Sequence, residues 1–344
     1  MPLHLNFLEK LVFKNFNLAP GPMLDVMGGF SFHVISSAIQ LNIFETLKDE
    51  PLPLDKLASK LNTDPRGLII LLECLESLGY VKKKKNCYHI TAMTKKWALD
   101  SSEASFKLAF EYYLPTMIEI WPYIAESVRI GEPYINFYSW LKDKPEVAAT
   151  YQKFMMSLAV LNMPEILNAL SFKNEKVLDI GGSHGLYSIA LCRKNKDIDI
   201  TIIDSEYSMP VLNKNIREAG LTERINTITA DFTTHTLDKK YDAILLFNVL
   251  HEHKEEDNLP IIEKIYNSLN PGGRIIILDG MNEKKLSPVL SFGLRIYSLV
   301  FFHFLGGQNY SFSEISGWLK GYGFKKIKRK NLIKSGFSII EGWR

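Results

Sequence analysis

Two histidines one residue apart, His251 and His253, stand in NVLHEHKEED, between an apolar run and an acidic one. A His-x-His pair can ligate a metal, and a single neutral imidazole can take a proton from a weakly acidic hydroxyl. A metal would need a third ligand. The nearby acids Glu252, Glu255, Glu256 and Asp257 instead lead into a helix, where first-turn negative charge complements the dipole. A metal is therefore disfavoured, and His251 is left as a general base or as a residue that caps the next helix or shapes a pocket, a choice that depends on the elements around it. His253 is expected to be a pocket or surface residue.

A second constellation is VLDIGGSHGLYSIAL, which has the form strand, glycine turn, helix. Gly181 and Gly182 allow a tight turn and close approach to a ligand, and Gly185 allows the helix to pack near the strand. The same letters spell Gly-x-Ser-x-Gly, a nucleophile elbow with Ser183 as nucleophile. Two features oppose that: the chain before residue 175 offers no earlier strands, and the elbow leaves Asp204 without a role. Asp204 ends the next strand, about 20 residues past the glycines, where an acid accepts hydrogen bonds from ribose hydroxyls. Asp231 and Phe232, in TADF, end the third strand, and Asn248 lies at the end of the fourth. The expected cofactor set is Gly181, Gly182, Gly185, Asp204, Asp231, Phe232 and Asn248. A dinucleotide wants Gly-x-Gly-x-x-Gly and a site for pyrophosphate. Here the spacing is Gly-Gly-x-x-Gly, preceded by the acid Asp179, which favours the cationic S-adenosylmethionine (SAM).

These residues need a scaffold, and the chain supplies two grammars. From about 175, strand-like runs at 176–181, 198–204, 225–229, 241–249 and 273–280 alternate with helix-like stretches at 185–194, 207–219, 255–269 and about 287–304. Near-continuous apolar strands separated by helices predict a parallel sheet covered on both faces. The runs FKKIKRKNLI and FSIIEGW, with only KSG between them, predict an antiparallel hairpin at the sheet edge. Residues 30 to about 165 read as helical, except that YVKKKKNCYHIT at 80–91 is a hairpin. Three helices and a hairpin make a winged helix. Its preceding helix exposes Glu73, Glu76 and Ser77 rather than base-reading arginines, so contact with another subunit is favoured over DNA, despite Lys82–Lys85 at the hairpin tip.

The totals agree with a globular enzyme. The 344 residues are 46% hydrophobic with a net charge of +3, too balanced to argue by itself for nucleic acid or membrane. Three scattered cysteines form no disulfide framework, which suits a reducing cytoplasm. The N-terminal stretch lacks the apolar core and cleavage site of a signal peptide. The most apolar stretch, 286–305, contains Pro288, Arg295 and His303 and reads as a buried helix rather than a membrane span.

Taken together, LDIGGSHG, IIDSE, ADF, NVLHEHKEEDN, LNPGGRIIILD and GGQNYSFSEISGWLKGYGF resemble the blocks of class I SAM-dependent small-molecule O-methyltransferases that carry an N-terminal winged-helix dimerisation domain. The resemblance runs from about residue 20 to 330 and is nearer to bacterial than to plant members. It implies an α/β fold with a Rossmann-like sheet and a mostly helical N-terminal domain. The implied domains are dimerisation over 1–105, a helical connector lining the substrate site over 106–172, and SAM binding over 173–344. Gly181 is implied against the methionine portion of SAM, Asp204 at the ribose, and Asp231 with Phe232 at the adenine. His251 matches the general base of many members, and Met155 a methionine lining the site near the methyl group. His253 replaces a tryptophan common in plant members and Phe247 a frequent lysine. Asn309 stands where plant members place a glutamate that orients the histidine.

The expectation is a cytoplasmic homodimer, dimerising through its N-terminal domain, that methylates a hydroxyl of a small aromatic or polyketide-like molecule. Among the aromatics of 292–312, Tyr297 and Phe301 are expected to line the acceptor pocket and most of the others to be core. The alternatives are N- or C-methylation, a non-methylating reaction on the same fold, and a ligand-sensing DNA-binding regulator.

Overall fold

A computed structural model describes residues 7–16, 20–102, 105–283 and 288–344. Residues 1–6 of the N-terminal stretch, and 286–287 at the head of the expected apolar helix, lie outside the described residues. The chain divides into two compact units: one runs to Glu119 and takes in Ala149–Ser157, and the other comprises Ile120–Ala148 and Leu158–Arg344.

The first unit contains helices α1 (Phe7–Lys10), α2 (Pro22–Gln40), α3 (Ile43–Thr46), α4 (Leu54–Leu61), α5 (Pro65–Ser77), α6 (Ala92–Trp97) and α7 (Lys107–Glu119). Helix α5 follows from its sequence. Asp64 caps it by accepting the Gly67 N–H at 2.9 Å, and Pro65 occupies the first turn. Leu68, Leu72 and Leu75 recur at helical spacing and are buried, while Glu73, Glu76 and Ser77 face out. The hairpin β2 (Val81–Lys84) and β3 (Cys87–Ile90) turns through Lys85 and Asn86, both at positive φ (46° and 65°), as a two-residue turn requires. A short strand β1 (Leu52–Pro53) pairs with β3, a feature that two residues are too few to announce. This is a winged helix with its own buried core.

The second unit begins with α8 (Ile124–Ile130) and α9 (Phe137–Lys142) and includes both ends of the long α10 (Pro145–Ala169). Then come β4 (Lys176–Ile180), α11 (Leu186–Lys194), β5 (Asp199–Asp204), α12 (Met209–Glu218), β6 (Ile225–Thr229), β7 (Tyr241–Phe247), α13 (Glu255–Ser268) and β8 (Leu269–Gly280). Helices α14 (Pro288–Leu305) and α15 (Phe312–Gly321) precede β9 (Lys325–Asn331) and β10 (Phe337–Trp343). The sheet order is β6-β5-β4-β7-β8-β10-β9; the first five are parallel, while β10 runs antiparallel to β8 and β9 antiparallel to β10.

Strand side chains alternate between two cores, which is why the strands read as unbroken apolar runs. Ala243, Leu245, Ile276 and Leu278 pack on one face with Ile189 and Leu212. Ile244, Leu246, Ile275 and Ile277 pack on the other with Ile261, Ile265 and Leu319. The outermost strand, β9, carries Lys325, Lys326, Lys328, Arg329 and Lys330, charges that discourage edge-to-edge pairing. Chain order reverses between β4 and β7, so a ligand crevice is expected at the carboxyl ends there.

Candidate active site

Consecutive strand ends deliver the expected cofactor residues to that rim. Gly181 leaves β4 at φ 71°, and its N–H donates to the Ile203 carbonyl of β5 at 2.9 Å. At Gly182 a Cβ would lie 2.6 Å from Ile202 Cγ2 and 2.7 Å from Asp179 Oδ2, so only glycine fits. Gly185 sits at φ 75° as the cap of α11. Asp204 Oδ2 accepts the Ser183 N–H at 2.8 Å and Oδ1 the Ser205 N–H at 2.7 Å, pinning the glycine turn to the end of β5. A carboxylate has about four acceptor positions, so capacity for ribose hydroxyls remains. Ser183 thus serves the turn through its backbone.

Asp179, the acid ahead of the glycines, sits beneath the turn. It is 2% exposed, lies under Gly182 and accepts the Ser188 hydroxyl at 2.5 Å. Burial pushes its carboxyl up to about 7, with Asp204 adding to the rise against the Ser188 hydrogen bond. Its task is to brace the turn.

Beside Asp204, the chain passes from β6 into Asp231 and Phe232; the Ala230 N–H donates to the Asp204 carbonyl at 3.0 Å. Asp231 Oδ1 accepts the Thr233 hydroxyl at 2.6 Å and N–H at 2.9 Å, and the hydroxyl bond leads in holding this carboxyl below its usual range. Phe232 meets His253 edge to face, with ring centroids 5.8 Å apart. Lys264 of α13 gathers the loop, donating to the carbonyls of Phe232 (2.9 Å), Thr233 (2.9 Å) and His235 (2.7 Å). Sequence reading missed this lysine because its partners are carbonyls some 30 residues away, invisible to any motif. Asn248, at φ 57°, turns the chain out of β7, and its N–H donates to the Leu278 carbonyl at 2.8 Å.

The chemistry of these residues fits SAM: Asp204 keeps acceptor positions beyond its two backbone bonds, and Phe232 adds an aromatic ring. His253 Nε2 is buried with no hydrogen-bond partner among the described residues, a polar atom available to a purine. Burial holds that imidazole below its ordinary pKa and therefore neutral.

Beyond β7, a single 3₁₀ turn, Leu250–Glu252, carries His251. His251 Nδ1 lies 2.7 Å from Asp279 Oδ1 at the end of β8, and both residues are buried. A carboxylate only accepts, so Nδ1 carries the hydrogen, and in the neutral imidazole Nε2 has the lone pair. Burial works against the charged imidazolium, but the attraction and hydrogen bond of Asp279 together with the charge of Glu252 outweigh it, and the His251 pKa is raised. The Phe301 ring lies flat against the imidazole, with centroids 3.8 Å apart and planes 14° apart.

The turn itself is clamped. Asn258 Nδ2 donates to the carbonyls of Leu250 (2.9 Å) and His253 (3.2 Å), and the Tyr310 hydroxyl to His253 O (2.7 Å). Next to His251, the Glu252 carboxyl is pushed up to about 7 by burial, despite the pull of His251 and the Tyr138 hydroxyl, which donates to it at 3.2 Å.

The residue expected at the position of an orienting glutamate does other work. Asn309 donates from Nδ2 to the Leu294 carbonyl at 2.9 Å and from its N–H to the Ser298 hydroxyl at 3.2 Å, tying its loop to α14. The carboxylate on His251 is Asp279. An acid closing the buried strand run IIILD was the signal available in the sequence.

Of the two aromatics expected in the acceptor pocket, Phe301 faces His251, while Tyr297 is 43% exposed and lies 6.3 Å from Phe301 in a near-parallel stack. Phe304 is core, packed on Phe137 at 5.1 Å, whereas Phe292 is 68% exposed. Met155 falls within the stretch of α10 that belongs to the first unit. Among the described residues, no three histidine, cysteine, aspartate or glutamate side chains gather as a metal-binding group.

Comparisons with known proteins identify the family. Residues 121–325 match the O-methyltransferase domain and residues 24–100 the O-methyltransferase dimerisation domain. The chain belongs to the O-methyltransferase family. It is 26% identical over 314 residues to the L-tyrosine C(3)-methyltransferase of Streptomyces lavendulae, covering 87% of this chain and 85% of that one. It is 24% identical over 322 residues to the 3-hydroxy-5-methyl-1-naphthoate 3-O-methyltransferase of Streptomyces sahachiroi, covering 90% of each. In fold it is similar to human N-acetylserotonin methyltransferase in complex with SAM, with a TM-score of 0.80 at 20% identity over 96% of this chain and 98% of that one. The protein is a SAM-dependent methyltransferase with a class I fold and a winged-helix N-terminal region. No helix among the described residues is long and apolar enough to cross a membrane.

Proposed function

We propose that the protein methylates a hydroxyl of a small aromatic or polyketide-like molecule, with His251 as the general base. The observation that supports this is the buried 2.7 Å contact between His251 Nδ1 and Asp279, which leaves Nε2 of the neutral ring as the nitrogen able to take a proton. SAM, when bound, supplies a methyl group already activated by a positive sulfur. What remains for the chain is alignment and proton removal. A phenol has a pKa near 10, so an adjacent neutral imidazole raises the nucleophilic fraction, an effect of about 10²–10⁴-fold. Gly181, Gly182, Gly185, Asp204, Asp231, Phe232 and Asn248 hold the cofactor, and Tyr297 borders the acceptor.

The test is mass spectrometry of a panel of hydroxylated aromatics incubated with enzyme and SAM, alongside calorimetry of SAM binding. A gained methyl on oxygen, lost in His251→Ala while SAM still binds, supports the reading. Full turnover by His251→Ala rejects the base. Undiminished SAM affinity in Asp204→Ala rejects the ribose assignment.

A second reading, methylation at a ring carbon, is favoured by the similarity to an L-tyrosine C(3)-methyltransferase. Deprotonating a phenol also raises electron density on its ring carbons, so the same base serves. The position of the new methyl, read by NMR, separates the two.

We infer further that residues 1–105 form the dimerisation domain of a cytoplasmic homodimer, that residues 106–172 are a connector contributing to the acceptor side, and that residues 173–344 bind SAM. The match to a dimerisation domain over 24–100 supports the dimer, as do Val26, Met27 and Phe30, apolar and exposed on α2. Small-molecule rather than nucleic-acid recognition is supported by α5, whose exposed face carries Glu73, Glu76 and Ser77 instead of base-reading arginines. Sedimentation at micromolar concentration and a gel shift test these two points: a monomer, or specific DNA retention, refutes them.

A further inference from the structure

We propose that Phe301 is a positioning residue for the base: its ring face fixes the plane of the His251 imidazole and stabilises the imidazolium formed when the acceptor's proton reaches Nε2. The inference rests on the reading of His251 as base. It reassigns Phe301 from a wall of the acceptor pocket to a partner of the histidine.

The geometry is unusual for two neutral rings. Aromatic pairs prefer offset or edge-to-face arrangements, because face-to-face contact sets like quadrupoles against each other. Here the centroids are 3.8 Å apart and the planes only 14° from parallel. The same arrangement becomes favourable once one ring is positive, since a cation is attracted to a π face. The contact therefore strengthens as the proton arrives, which is the differential stabilisation that accelerates a reaction rather than merely tightening the resting state. In that step the proton leaves the acceptor hydroxyl for Nε2, and its bonding pair stays on the oxygen.

The scaffold holds this ring in place. Phe301 lies on α14, two residues before His303, which is fully buried. His303 Nε2 donates to the Ile120 carbonyl at 2.9 Å, and Nδ1 lies 2.7 Å from the Ser127 hydroxyl, so α14 is anchored beside the stack. His251 is thus fixed along two directions, by Asp279 in the ring plane and by Phe301 against one face. The charged or titratable groups acting on it are Asp279 from β8 and, from its own turn, Glu252 and His253.

The experiment is an NMR titration of the protein labelled with ¹³C-histidine, with the His251 signal assigned by its loss in His251→Gln. Phe301→Leu should lower the His251 midpoint by about one pH unit, whereas Phe301→Trp should preserve it. Pentafluorophenylalanine at position 301 keeps the shape and reverses the ring quadrupole, so it should also lower the midpoint even if the leucine variant folds poorly. An unchanged midpoint in the pentafluoro protein overturns the proposal. Turnover retained by His251→Gln on a naphthol acceptor would instead defeat the base reading, leaving the ring contact as a structural one.

Discussion

Gly307 presses its backbone against the turn that carries His251: a Cβ on Gly307 would lie 2.6 Å from Glu252 C and 2.6 Å from His253 N, and nearer still to the His251 carbonyl oxygen. Both sides are main chain, so neither can rotate away. Gly307→Ala should destabilise the protein by about 2 kcal/mol, the usual scale of overpacking, and displace His251. Denaturant melts and turnover check this; a variant with unaltered stability and rate would show that the turn yields without cost.

The pairing of His251 with Asp279 predicts a pH signature. Asp279 raises the histidine's pKa, and the base acts only when neutral, so the acid limb of the rate profile should lie above the ordinary histidine value. In Asp279→Asn the carboxylate pull is gone. The limb should move to lower pH while the plateau rate falls by about 10–10²-fold. Measuring kcat/KM from pH 5 to 9 tests this, and a limb that stays put would assign the titration to another group.

Lys264 predicts an effect confined to the cofactor. Its three bonds to the carbonyls of Phe232, Thr233 and His235 order the loop behind Asp231. Lys264→Met should weaken SAM binding by about tenfold, since water replaces part of what is lost, while kcat at saturating SAM stays near wild type. Lys264→Arg should recover part of the affinity. Calorimetry decides, and equal affinity in the methionine variant would make the lysine a surface detail.

Asp64 offers a test of the first unit alone. Removing the cap of α5 with Asp64→Ala should cost about 1 kcal/mol without changing turnover at saturating substrates. Thermal unfolding and kinetics together check it; a loss of turnover at unchanged stability would contradict a purely local role.

Much of this protein was legible in its sequence because period and spacing are local properties. Apolar runs cut by helical stretches implied β4 to β8, and KSG between two runs implied the β9–β10 hairpin. Glycine spacing placed the turn at Gly181–Gly185, and the acids at the end of β5 and just past β6 marked the rim. What the sequence could not decide was which distant groups share a contact. Asp279 and not residue 309 meets His251, Asp179 takes the Ser188 hydroxyl beneath the turn, and Phe301 lies on the His251 ring. Each pairing joins strand ends and helices whose distance apart is set by sheet order and packing. Hydrogen bonds and ring contacts act over a few ångströms, so only the folded chain selects their partners.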